Sequence, residues 1–184
     1  MKIILHEGKD DKKYIKKICK HLEFDVTDEN FYEMGGKSAF FKEDNDIYLL
    51  IKSNPRISKI LFVLDADYKE NDSKYGGYEN TENEIKKIIR KLELVDKCDY
   101  SITCNPNTKD GYFETLFFSS VPDSLKKCYE EFMLCSGFKE KENYKTVMTK
   151  LHELASPSKP YDFNHPNFED ITTKLKNLFK GTKI

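Results

Sequence analysis

The chain has 184 residues, of which 38% are hydrophobic and 34% charged, and its 31 basic and 32 acidic side chains give a net charge of −1. This length suits one domain, or one domain with an appendage. A near-neutral charge argues against a protein that coats nucleic acid non-specifically, because such binding is dominated by basic residues. The sequence shows neither a transmembrane segment nor a signal-peptide pattern, so we expect a cytoplasmic protein without membrane contact.

The first predicted strand ends on an acidic residue. The short, mostly apolar run Lys2–His6 stops at Glu7, and after a glycine the apolar stripe of a helix follows over Asp10–Leu22. Glu7 is therefore expected at the strand tip, beside the N-terminus of that helix. Asp11 lies one turn further on and is expected to face the same cavity, and Lys9 is a candidate phosphate ligand.

Strands and helices alternate through the first half of the chain. The pattern predicts, in order, a strand at Phe31–Met34, a helix around Asp46–Lys52, a strand at Lys59–Leu64, a helix at Thr81–Leu94 and a strand at Asp99–Cys104. This order is typical of an α/β fold, with a Rossmann-like, mostly parallel sheet flanked by helices. The carboxyl ends of parallel strands share one edge of the sheet, where such folds bind ligands.

The third predicted strand also ends on carboxylates. Asp65 and Asp67 follow five consecutive apolar residues, and both aim at one point if the chain stays extended. If the first and third strands are neighbours, these carboxylates converge with Glu7 on a site for a hard divalent cation. An alternative interpretation is that Asp65 and Asp67 form only a solvated acidic turn. Glu7 and Asp11 would then only complement the dipole of the first helix.

The pattern becomes helical in the second half of the chain. Four helical segments are predicted, at Leu116–Phe118, Ser124–Cys135, Tyr144–Ala155 and Phe168–Phe179, and no fifth strand has comparable support. We therefore predict an α/β domain over residues 1–118 and a helical extension, packed on the same core, over residues 119–184. Whether this extension covers a sheet face, forms a homodimer interface or closes a substrate groove stays open.

Three motifs in this order resemble the TOPRIM family, the catalytic domain shared by topoisomerases, bacterial primases and OLD-type nucleases. The run Ile3–Asp11, with its glutamate and glycine, is similar to the first motif of that family. The run Leu61–Asp67 is similar to its Asp-x-Asp motif, and Met34–Lys37 is similar to the glycine pair that often follows the second strand. The resemblance covers roughly residues 1–118.

Within that superfamily the chain looks closest to small stand-alone TOPRIM-like proteins related to OLD nucleases, because Gly111–Glu114 matches a glycine and glutamate after the fourth strand. The resemblance implies phosphodiester chemistry on DNA or RNA, dependent on Mg²⁺ or Mn²⁺ and most like that of a nuclease. It implies catalytic Glu7, Asp65 and Asp67, metal ligands Glu7, Asp11, Asp65, Asp67 and Glu114, and phosphate-binding Lys9, Gly35, Gly36 and Lys37. Glu114 is equally well explained as a carboxylate at a helix N-terminus.

Other functions stay open on the sequence. The chain has no phosphate-binding loop of an ATPase, which argues against a complete OLD enzyme, and no tyrosine stands out as a topoisomerase nucleophile. A non-catalytic TOPRIM-like module that binds nucleic acid or a separate protein partner is the main alternative. A phosphatase or phosphotransferase with an aspartyl nucleophile ranks last, because Lys69 stands where such enzymes usually have Thr or Val. The lysines of the first helix are either a solvated face or a stripe that tracks phosphates.

Overall fold

The computed structural model describes residues 1–136, 144–156 and 163–180. Its strands are β1 (Lys2–His6), β2 (Phe31–Glu33), β3 (Lys59–Asp65) and β4 (Cys98–Thr103). Its helices are α1 (Lys9–His21), α2 (Lys37–Phe40), α3 (Asp46–Ser53), α4 (Tyr78–Lys91), α5 (Phe113–Ser119), α6 (Asp123–Ser136), α7 (Tyr144–Ala155) and α8 (Glu169–Phe179). Short 3₁₀ turns lie at Asp28–Asn30 and Pro166–Phe168.

The four strands form one parallel sheet in the order β2-β1-β3-β4. Helices flank it, so the predicted α/β, Rossmann-like class is confirmed. The chain moves from β1 to β2 on one side and then crosses to β3 on the other side of β1. The direction of the connections therefore reverses between β1 and β3, and the crevice at such a switch point is the usual ligand site of an open parallel sheet.

Both faces of the sheet are buried, which explains why β1 and β3 read as continuous apolar runs. Successive side chains of a strand point to opposite faces. Ile3 and Phe62 belong to a core that includes α3 and α4, whereas Ile4 and Leu61 belong to a core built with α1, α5 and α8. The layers are thus helices, sheet and helices.

The C-terminal helices complete the second of these cores. α8 packs on β3 and β4, and its Ile171 and Leu175 are fully or almost fully buried. α7 lies against α5, where the buried His152 packs on Phe117 and Phe163. α6 has no buried residue. Among the helices in the described segments, none combines the length and hydropathy that a membrane span requires.

α2, α4 and α5 differ from the sequence prediction, and α5 begins at Phe113, before the predicted Leu116. α4 begins at Tyr78, earlier than expected, because Gly77 adopts a φ of 84° and turns the chain into the helix. Thr81 is then an interior residue, fully buried, and its hydroxyl donates to the carbonyl oxygen of Tyr75 over 2.8 Å. The short α2 was not predicted, since four residues are too few for a periodic apolar pattern.

Candidate metal centre

A hydrogen bond joins the ends of β1 and β3. The backbone N–H of Asp65 donates to Oε1 of Glu7 over 2.8 Å. The two strands are direct neighbours, so the condition on which the sequence predicted this convergence is met. Both carboxylates therefore lie at the switch point of the sheet, where ligands of parallel α/β folds bind.

The side chain of Asp65 accepts hydrogen bonds from two donors. Its Oδ1 accepts the hydroxyl of Thr103 over 2.5 Å and the backbone N–H of Phe113 over 2.9 Å. Burial raises the pKa of Asp65 well above its usual range, and the charges of the neighbouring acidic groups, Glu7 first among them, raise it further. The sequence did not predict the roles of Thr103 and Phe113. A threonine in a strand and a backbone N–H at a helix start are common, and nothing in the neighbouring residues indicates that they bind a carboxylate.

Asp11 of α1 and Glu114 of α5 are further acidic residues whose charges act on Asp65. Asp11 Oδ2 accepts the backbone N–H of Gly8 over 2.8 Å, so it caps the first turn of α1. Burial, followed by the charge of Glu114, nevertheless raises the pKa of Asp11 to about 6. Glu114 is buried at the start of α5 and accepts the hydroxyl of Tyr14 over 3.1 Å. Asp11 therefore combines the helix-capping role with a place in the acidic cluster, which consists of Glu7, Asp11, Asp65, Asp67 and Glu114.

Asp67 reaches the cluster by a route that the sequence did not predict. The chain does not stay extended: Asp67 has a φ of 58° and forms an antiparallel bridge with Gly111. Two backbone hydrogen bonds, of 2.8 and 3.1 Å, close that bridge and impose the turn. The Asp67 carboxylate then pairs with Nζ of the buried Lys37 at 3.2 Å, and Lys37 also donates to the carbonyl oxygen of Ala66 over 2.6 Å.

Glu7 has the pKa of a group suited to proton transfer near neutral pH. Burial is the main cause, and the charges of Asp67 and Asp11 add to it. The N–H of Asp65 and the ammonium of Lys37 act in the opposite direction, and the balance raises the pKa of Glu7 to about 7. General acids and bases work best when their pKa lies near the working pH.

The predicted phosphate ligands have different surroundings. The N–H groups of Gly35 and Gly36 donate to the backbone carbonyl oxygen of Glu7 over 3.2 and 3.1 Å, with φ values of 80° and 108°. These glycines thereby fix the backbone of Glu7, and Lys37 is occupied by Asp67. Lys9 is exposed at the start of α1. Binding of phosphate by these four residues stays a prediction.

Ion pairs occupy most of the lysine stripe on α1. The pairs are Lys12 and Lys16 with Asp28, Lys13 with Asp10 and Lys17 with Glu153. A lysine already neutralised by a carboxylate contributes less to a field that attracts phosphates. The arrangement favours a solvated face over a phosphate-tracking stripe.

Comparison with known proteins identifies a family and no activity. Residues 1–180 match the family described as Protein of unknown function (DUF3226). The chain belongs to this family. The DUF3226 match spans the sheet and the C-terminal helices, so it includes all five carboxylates of the cluster. No curated protein and no solved structure matches the chain.

The cluster of this DUF3226 protein fits a hard cation by its chemistry. It consists of five carboxylates, which are Glu7, Asp11, Asp65, Asp67 and Glu114. Within residues 1–136, 144–156 and 163–180, no three Asp, Glu, His or Cys side chains form a ready-made metal site. Mg²⁺ needs only one or two carboxylates, since water and phosphate oxygens complete its shell. The hydrogen bonds to Glu7 and to Asp65 each engage one carboxylate oxygen, so the second oxygen of each is the candidate ligand.

The bridge at Gly111 provides a test of the turn that places Asp67. A Cβ at position 111 would clash with Oγ1 of Thr115, and the φ of 93° is unfavourable for alanine. Thr115 has little freedom to move, because its hydroxyl donates to the Tyr112 carbonyl oxygen over 2.6 Å and accepts the Tyr112 N–H over 2.9 Å. We expect Gly111→Ala to lower the free energy of unfolding by about 1–3 kcal/mol, measured by urea denaturation.

The matched control for this prediction is Gly8→Ala. Gly8 has an extended φ of −147° and only Asp11 Oδ2 near its added Cβ, at 3.9 Å. Alanine should therefore fit there with a much smaller loss of stability. Equal unfolding curves for the two variants would contradict the proposed strain at Gly111.

Proposed function

We propose that this DUF3226 protein is a TOPRIM-like enzyme that cleaves phosphodiester bonds of nucleic acid with Mg²⁺ or Mn²⁺, most like a nuclease. The observation that carries the proposal is the hydrogen bond from the Asp65 N–H to Glu7, which joins two acidic strand ends at the switch point of the sheet. The overall reaction adds water across one phosphorus–oxygen ester bond and yields a phosphate monoester and a hydroxyl group.

The residues divide this work according to their surroundings. Asp65 and Asp67 would hold the cation, with Glu7 as a further ligand or as the general acid or base. Asp11 and Glu114 would complete a second metal position. A bound Mg²⁺ supplies Lewis-acid polarisation of phosphate oxygens and stabilises the charge that develops in the transition state. As an alternative to binding the cation, Glu7 would accept or return a proton, and its pKa, raised to about 7 in the metal-free protein, suits that role.

The neighbouring groups preorganise these carboxylates. Thr103 and the N–H of Phe113 orient Asp65, and Lys37 orients Asp67. Side chains held in this way lose little further freedom when substrate binds, which is how preorganised sites reduce the cost of reaching the transition state. The buried His6 supports the same strand end, because its Nδ1 donates to the Gly8 carbonyl oxygen over 2.9 Å.

The direct test uses the purified chain and labelled single- and double-stranded DNA and RNA. We expect cleavage with Mg²⁺ or Mn²⁺ and none in EDTA, with calorimetry detecting binding of the cation in the absence of substrate. If no cleavage of any of the four substrates occurs with either cation, the assignment as a nuclease is wrong.

The second candidate is a non-catalytic module that binds nucleic acid or a protein. Two observations favour it: the net charge of −1, and the absence among the described residues of a group of three side chains ready to hold a metal ion. Binding of the cation or of nucleic acid without turnover in the same experiment would select this candidate.

A further inference from the structure

α7 brings a basic side chain to the rim of the carboxylate cluster. Nζ of Lys145 lies 3.7 Å from Oε2 of Glu114 and 3.7 Å from the centre of the Tyr112 ring. The distance to Glu114 exceeds the reach of a normal hydrogen bond, so the ion pair is loose. The Lys145 side chain is 44% exposed, whereas that of Glu114 is only 9% exposed. The ammonium group therefore sits between the buried acid and solvent.

The place of Lys145 is set by the packing of α7. Glu153 of that helix pairs with Lys17 of α1 at 2.8 Å. One residue before it, His152 is buried and packs on Phe117 and Phe163. These contacts dock α7 on α1 and α5, the two helices that carry Asp11 and Glu114. The packing of α7 thus positions Lys145 beside the cluster.

Lys145 differs from the other basic groups near the site. Lys37 is buried and bonded to Asp67 and to the Ala66 carbonyl oxygen, so it acts as an internal counter-ion. The paired lysines of α1 have their ammonium groups directed to carboxylates outside the cluster. Lys145 combines proximity to Glu114 with access from solvent, and its cation–π contact with Tyr112 orients it without consuming its hydrogen-bond donors.

We propose that Lys145 binds a non-bridging oxygen of the substrate phosphate, and that one role of α7 is to bring this cation to the carboxylate cluster. The identity of the substrate as a nucleic-acid phosphodiester rests on the proposed function. A phosphate that approaches five carboxylates is repelled, and a positive charge at their rim offsets that repulsion. Lysine suits this role as a compact point charge with three donors.

The experiment compares Lys145→Met, Lys145→Arg and the control Lys150→Met. Lys150 lies on the same helix, and its ammonium bonds to Glu153. Affinity for a single-stranded oligonucleotide is measured by fluorescence anisotropy, with Ca²⁺ in place of Mg²⁺ to prevent turnover, at several salt concentrations. KM and kcat are measured separately with Mg²⁺. Thermal unfolding checks that each variant is folded.

We expect Lys145→Met to weaken binding about tenfold, as loss of one hydrogen bond to a charged group would do. The dependence of log affinity on log salt should become shallower by about 0.7 for a single strand. KM should rise more than kcat falls, Lys145→Arg should restore most of the affinity, and Lys150→Met should match the wild type.

The outcomes separate this inference from the proposed function. Unchanged affinity and salt dependence in folded Lys145→Met overturn the role of Lys145, even if the wild type cleaves nucleic acid. Lys145-dependent binding without cleavage supports the inference and rejects the nuclease. A wild-type chain that binds no nucleic acid in either cation overturns the inference.

Discussion

Replacement of Asp65 with asparagine is expected to abolish cleavage and, at the same time, to stabilise the metal-free protein at pH 8. Loss of a cation ligand removes several kcal/mol of transition-state stabilisation, which corresponds to a fall in rate of about a thousandfold or more. The gain in stability arises because the negative charge of Asp65 is buried beside other acids, which is why the pKa of Asp65 is raised.

Asparagine suits this experiment because it keeps the shape of the site. Its side-chain oxygen can still accept the hydroxyl of Thr103 and the N–H of Phe113, which both bond to one oxygen of Asp65. Only the charge and the second carboxylate oxygen are lost. We expect a gain of about 1–3 kcal/mol in the free energy of unfolding, within the usual range for single substitutions. A gain of that size raises the unfolding midpoint of a chain of this length by several degrees.

The control is Asp96→Asn, the same chemical change at an exposed aspartate between α4 and β4. It should leave both the cleavage rate and the unfolding midpoint unchanged. Cleavage retained in Asp65→Asn would contradict the metal site. A lower unfolding midpoint in Asp65→Asn than in the wild type would contradict the claim that charge repulsion at this cluster destabilises the fold.

The stability of the metal-free protein is expected to fall as the pH rises from about 5 to 8. The pKa of Glu7 is raised from 4.5 to about 7 and that of Asp11 from 3.8 to about 6. Between the unfolded and folded values, the folded chain binds more protons than the unfolded chain, so the free energy of unfolding decreases with pH. For Glu7 alone, a shift of this size corresponds to a loss of up to about 3 kcal/mol.

The titration of His6 changes the free energy of unfolding in the opposite direction from that of Glu7 and Asp11. Burial lowers its pKa from 6.5, so the folded chain binds fewer protons than the unfolded chain at this position in mildly acid solution. Its contribution to stability therefore grows as the pH rises towards 6.5 and is complete above that value. The raised pKa values of Glu7, Asp11 and Asp65 have the opposite effect to the lowered pKa of His6. Because three groups outweigh one, we expect the free energy of unfolding to decrease between pH 5 and 8.

The measurement is chemical denaturation in EDTA across this pH range, repeated with excess Mg²⁺. The cation favours the ionised carboxylates, so it should stabilise the wild type more at pH 8 than at pH 5. Glu7→Gln should flatten the pH dependence in EDTA and weaken the effect of Mg²⁺. A free energy of unfolding that rises steadily from pH 5 to 8 in EDTA would refute the proposed repulsion among the carboxylates of the cluster.

The parallel sheet and its acidic edge were predictable because their signals are local. A buried parallel strand requires a run of apolar residues, and Lys2–His6 and Lys59–Asp65 provide such runs. Each run is followed by or ends on a carboxylate, and the carboxyl ends of parallel strands share one edge. Glu7 and Asp65 could therefore be placed at the same edge, on condition that their strands pair.

The conformation at Asp67 was not predictable in this way. An Asp-x-Asp run is compatible with an extended chain, and the extended reading was wrong because Asp67 bonds through its backbone to Gly111. That bridge joins segments that are far apart in the chain, so no pattern of neighbouring residues predicts it. The turn leaves the Asp67 carboxylate near Glu7, although by another route than the sequence suggested.

The sequence by itself determined the fold class, the acidic strand ends and the resemblance that suggests their chemistry, because apolar periodicity and strand termini depend on neighbouring residues. Only the tertiary structure decided that β1 and β3 are neighbours, that Thr103 and Tyr14 hold Asp65 and Glu114, and that α7 carries Lys145 to the cluster. The hydrogen bonds of Thr103 and Tyr14 span 38 and 100 residues of sequence. Contacts of this kind arise when helices and strands pack, so no residue pattern within one segment specifies them.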